Sequence, residues 1–162
     1  MANILNVKQQ YGKAEWDQRE DYYIQELAQL VIPSDPSTKE VMQLNARLDA
    51  LIAEVNLDFG FIDRNYQYFL SLMKNAEKEC FSIVKGIQLA NGNTKVTEND
   101  IKGLTITYLK QNPLAGLPAN IYDIVSAAEK RYRFMEAVQS TLKSKRDSVL
   151  TINTMLKIEH NI

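Results

Sequence analysis

From Val41 to Ile87 this chain carries one apolar stripe that no proline interrupts. Apolar residues recur at 41, 44, 48, 51, 55, 59, 62, 66, 69, 73, 76, 80, 83 and 87, in steps of three and four. Such steps keep side chains on one face of an α-helix and form the seam of a coiled coil. The steps 51 to 55 to 59 place two fours together, a stutter that locally unwinds a supercoil, and Gly60 follows at once. A helix of about 50 residues at 1.5 Å each extends roughly 75 Å, longer than a small globule needs. A compact monomer can bury that seam only if the helix breaks near Gly60; otherwise another chain must cover it. Gly60 is the expected place of a kink or a change of packing partner.

Breakers divide the rest of the chain. Pro33 and Pro36 stand in VIPSDPSTKE, Gly92 in NGN, and Pro113, Gly116 and Pro118 in NPLAGLP. Trp16 to Val31 reads as a helix, with Tyr23, Leu27, Leu30 and Val31 on one side. Ser37-Thr38-Lys39-Glu40 fits a capping box, in which the serine hydroxyl caps a backbone N–H and Glu40 reaches back. Thr97 with Asp100 fits the next N-cap. Thr105 to Tyr108 alternates briefly, but no second alternating segment exists to pair with it. From Ala119 to Glu159 a second long helix is expected, with Val125, Met135, Val138, Leu142 and Val149 among its apolar positions.

The expected fold is therefore all-α: a long antiparallel helical hairpin with a short N-terminal helix and a short connecting helix, forming an oligomeric bundle or ring. A single helical domain is expected over 1–162, with 1–36 as N-terminal helix and linker, 37–91 and 119–160 as the long helices, and 97–111 as the short one. The oligomer seam would use Leu44, Leu48, Leu51, Val55, Phe59, Ile62, Phe69 and Met73.

Composition bounds the class. A chain of 162 residues, 45% hydrophobic and 24% charged, has the make-up of one folded domain. Net charge is −1, so no global field draws it to a polyanion. Residues 1–118 carry 12 Lys and Arg against 15 Asp and Glu, giving −3, whereas 119–162 carry 7 against 5, giving +2. Cys80 is the only cysteine, so no internal disulfide can form and a reducing, cytoplasmic setting is expected. The N-terminus lacks the apolar run of a secretory signal, and no stretch of about 18 apolar residues would span a bilayer.

Chemistry-bearing residues are sparse. His160 is the only histidine and stands two residues from the end; Cys80 falls on the apolar seam; Glu77 and Glu79, two apart, cannot share a helix face. The glycines form no phosphate loop. Neither catalysis, a metal nor a cofactor is expected.

One stretch stands out: AEKRYRFMEAVQSTLKSKRDSVL, residues 128–150. Between 130 and 146 six cations face one acid, Glu136. At about 100° per residue the cations go round the helix instead of forming a stripe, as on a solvated face with snorkelling stems. Cations beside aromatic rings could also grip single-stranded nucleic acid through phosphate contact and base stacking. The candidates are Lys130, Arg131, Arg133, Lys143, Lys145 and Arg146, with Tyr132 or Phe134 as stacking partner; Phe134, off the apolar spacing, is the better candidate, since the place of Tyr132 on that spacing suggests the core.

The order of elements, with the Thr-led segment Thr97-Glu98-Asn99-Asp100-Ile101-Lys102 and the closing run Leu142-Lys143-Ser144-Lys145-Arg146-Asp147-Ser148-Val149-Leu150, resembles the small phage recombination mediators of the UvsY type. The resemblance covers roughly residues 40–160. It implies a helical, ring-forming, non-enzymatic protein that binds single-stranded DNA, with a RecA-like recombinase or single-strand-binding protein as partner in the host cytoplasm. The chain departs from the family at Asn56-Leu57-Asp58-Phe59-Gly60-Phe61, where a basic-aromatic segment would stand, so no role carries over there. The alternative expectation is a structural protein of a virion neck, scaffold or adaptor, whose helices serve only self-association.

Overall fold

The structure, a computed structural model, describes residues 12–93, 95–112 and 114–160, the last without its side chain. The expected inertness of His160 and the reading of the first eleven residues lie outside the described residues. Four α-helices and no strand occur among them: α1 (Lys13–Gln29), α2 (Thr38–Ala90), α3 (Glu98–Gln111) and α4 (Ile121–His160). The fold is all-α.

Local chemistry sets the helix starts. The Ser37 hydroxyl accepts from Glu40 N–H at 3.3 Å while Glu40 Oε2 accepts from Ser37 N–H at 2.7 Å, closing the capping box before α2. Thr97 and Asp100 repeat the arrangement at α3, with distances of 3.2 and 3.0 Å. The Ser37 and Thr97 hydroxyls also donate to these carboxylates, at 2.7 and 2.6 Å, and with the backbone N–H groups hold both below their ordinary pKa. Gly92, at φ +75°, supplies the left-handed residue that closes α2.

The chain forms two compact units, one of residues 1–63 with 131–162 and the other of residues 64–130. In the first unit, α1 and α4 both pack on the opening half of α2. Antiparallel pairing of α2 with α4 shows in three contacts: Phe59 with Tyr132 at 5.3 Å between rings, Gln139 Nε2 donating to Asn56 Oδ1 at 2.9 Å, and Arg146 with Asp49 at 3.3 Å. Pairing of α1 with α2 is antiparallel too, from Arg19 beside Asp58 to Glu26 beside Arg47.

This arrangement corrects the seam. Leu48, Leu51, Val55 and Ile62 are buried in one cluster with Trp16, Tyr23 and Leu30 of the α1 region and Met135, Val138, Leu142 and Val149 of α4; Leu44 and Phe59 pack against it. No second chain is needed over that stretch, because two helices of the same chain cover it. Nor does α2 break: it stays helical through Gly60. The packing partners change instead, since the boundary between units falls at Asp63 and Arg64, soon after the stutter.

A polar network lies inside the first unit. Asp58, 4% exposed, accepts from Arg19 Nε at 2.6 Å and from the Tyr23 hydroxyl at 2.6 Å. Arg19 also pairs with Glu54, which accepts from the Tyr22 hydroxyl at 2.9 Å. Burial works against the charge on Arg19, but its bonds to Asp58 and Glu54 prevail and raise its pKa. Burial and the bond to Asp58 raise that of Tyr23.

The second unit holds the rest of α2, α3, the connecting loop and the start of α4. Ala76, Cys80 and Leu109 are its buried cluster, with Tyr108, Leu114, Leu117 and Tyr122 packed against it. Tyr122 donates to Glu77 at 3.0 Å, and Lys110 lies 5.3 Å from the Tyr122 ring centre. Phe69 and Met73 are half-buried here, whereas Ile83 and Ile87, also on the seam, are 39% and 42% exposed. No helix among the described residues is long and apolar enough to cross a membrane.

Candidate functional site

Along α4 the basic stretch divides between packing and solvent. Arg131 is half-buried with its guanidinium 5.5 Å from the Trp16 ring centre, a cation–π contact between α4 and α1. Burial lowers its pKa, against the opposing fields of Asp17 and Glu20. Lys145 Nζ donates to the backbone carbonyl of Leu30 at 2.5 Å, satisfying an acceptor at the end of α1. Arg146 pairs with Asp49. Lys130, Arg133 and Lys143 are exposed.

Phe134, expected as the stacking ring, is half-buried against the core. Its ring meets Trp16 edge-on at 5.9 Å between centres, and it packs against the cluster of the first unit. A single-helix spacing rule assigns α4 one buried face. Because α1 lies against a second flank of α4, residues just off the stripe, Phe134 and Lys145, are drawn inward as well. Tyr132 packs against the core as expected.

Two open grooves occur among the described residues. In the first unit, Ile52, Val55, Leu142 and Leu150 floor a cleft between α2 and α4, rimmed by Lys143, Arg146 and Asp147. In the second, α2 and α3 diverge over a groove of about 480 Å³ lined by Lys74, Glu77, Lys78 and Phe81 on one side and Glu98, Lys102, Thr105 and Ile106 on the other. Its two acids are engaged: Glu77 accepts from Tyr122, and Glu98 pairs with Lys102 at 3.1 Å. Lys74 and Lys78 are exposed and make no ion pair among the described residues. Lys74, Lys78 and Phe81 flank the seam and gain their meaning only where α3 forms the opposite wall, so the spacing of α2 alone does not reveal this groove.

Cys80 is fully buried, and burial, helped by the charge of Glu79, raises its thiol pKa. No cluster of three or more His, Cys, Asp or Glu side chains able to hold a metal occurs among the described residues. Comparison with family models, curated proteins and solved structures finds no match to this chain.

Proposed function

We propose that this chain is a non-enzymatic helical protein whose task is assembly, associating with copies of itself as a structural, scaffold or adaptor component does. The carrying observation is the uncovered end of the seam. Ile83 and Ile87 lie one helical turn apart in register with the buried Ala76 and Cys80, yet they are 39% and 42% exposed. Neighbouring exposed apolar side chains on a helix offer a contact surface, and burying the exposed remainder of each contributes about 1 kcal/mol. Leu104, 40% exposed on α3, adds to the apolar surface of the same unit.

Light scattering over a range of concentrations tests this. The wild-type protein is expected to exceed the 18.5 kDa of one chain, and Ile83→Glu with Ile87→Glu is expected to lower its mass at a given concentration with its helical circular dichroism intact. A single-chain mass for the wild type at every concentration refutes the reading.

A second reading, single-stranded DNA binding in the manner of UvsY-type mediators, draws support from the exposure of Lys130, Arg133 and Lys143. It draws less from Arg131, Lys145 and Arg146, which serve contacts within the chain, and none from Phe134. Fluorescence anisotropy with a labelled single-stranded oligonucleotide at low salt decides it; no binding there removes it.

A further inference from the structure

The outer side of α1 matches the lysine groove in charge and in spacing. Helix α1 (Lys13–Gln29) holds 2 Lys and Arg against 5 Asp and Glu, a net −3. Trp16 and Tyr23 turn inward, while Asp17, Asp21 and Ile24 are exposed. Neither aspartate is in an ion pair among the described residues, although the field of Asp17 also acts on Arg131 of α4, and Ile24 is 51% exposed. These three stand at i, i+4 and i+7, within about 60° of one another around the helix. Lys74, Lys78 and Phe81 on α2 have the same spacing and fall within a similar arc of about 60°.

We propose that the α2–α3 groove of one molecule receives α1 of a second copy, aligned parallel to α2. Asp17 then faces Lys74, Asp21 faces Lys78, and Ile24 meets Phe81, with Ile106 on the α3 wall closing over the apolar end. Both ion pairs repeat with the helical turn of about 5.4 Å, so one alignment satisfies all three contacts. Reversing the direction of α1 would keep the aspartates near lysines but carry Ile24 away from Phe81. The occupant is another molecule because the inner face of α1 is held in its own unit by Arg19 and Tyr23. The two surfaces differ, so the contact is head-to-tail, and each molecule keeps one free α1 and one free groove after a single pairing. Growth then continues into a ring or an open filament. This inference rests on the self-assembly reading and names a second contact for it, separate from Ile83 and Ile87.

Charge exchange tests it. Two variants are made, Asp17→Lys with Asp21→Lys and Lys74→Glu with Lys78→Glu, both at exposed positions. Each alone sets like charges against each other and is expected to raise the concentration for assembly by about tenfold or more at low salt. An equimolar mixture is expected to assemble again, because the lysine-bearing α1 of one variant fits the glutamate-bearing groove of the other, and the converse contact is native. Circular dichroism checks that each variant keeps its helix content. Variants that assemble like the wild type, or a mixture that stays dissociated, overturn the proposal. If Ile83→Glu with Ile87→Glu still dissociates the protein, the self-assembly reading survives that loss. A wild type that remains a single chain overturns both.

Discussion

Removing the carboxylate of Asp58 should be among the costliest single changes in the first unit. Asp58→Ala leaves the Tyr23 hydroxyl, on a side chain with no exposed surface, without the acceptor it has at 2.6 Å. A hydrogen bond to a charged group contributes about 1.5–3 kcal/mol. The same substitution takes from Arg19 one of its two carboxylates. That guanidinium is 25% exposed and keeps Glu54, so its share is nearer that of a surface pair, about 1 kcal/mol. The sum is about 3 kcal/mol, which in a chain of this size lowers Tm by roughly 6–12 °C. Asp58→Asn keeps an acceptor for Tyr23 and loses only the charge, so about half that loss is expected. Thermal and urea unfolding followed by circular dichroism measure both. A double-mutant cycle of Asp58→Ala with Tyr23→Phe should give a coupling of about 1 kcal/mol or more. An Asp58→Ala protein within about 1 kcal/mol of wild type, or a coupling near zero, would refute this account of the network.

Three further outcomes are expected. Gly86→Ala should stabilise the protein by about 0.5–1 kcal/mol, since Gly86 is inside α2 and an added Cβ meets nothing within 4 Å, whereas Gly92→Ala, at φ +75°, should destabilise by about 1 kcal/mol; urea unfolding separates the two. Tyr22, Tyr23 and Tyr122 have pKa values raised above the ordinary 10.0, chiefly by burial and then by bonds to Glu54, Asp58 and Glu77. Their contribution to stability is complete below that ordinary value and is lost as pH rises beyond it, so alkaline unfolding should coincide with a late rise in tyrosinate absorbance.

The sequence alone determined what depends on neighbours along the chain. The three-and-four spacing from Val41 to Ile87 and the absence of proline made α2 a helix, because helical hydrogen bonds and side-chain stacking act over three or four residues. Caps at Ser37–Glu40 and Thr97–Asp100 were legible for the same reason, each being a bond across three residues. Tertiary structure alone decided what covers the seam and what the cations do. Lys145 meets the Leu30 carbonyl across 115 residues, and Tyr23 meets Asp58 across 35. A hydrophobic stripe states that a face will be buried, not by which helix, because apolar burial is non-directional and any matching face satisfies it. With α1 and α4 both on the first half of α2, Phe134 turns inward and that half of the seam needs no other chain. Helix α3, set beside Lys74 and Lys78, makes a groove from residues that the spacing along α2 does not single out.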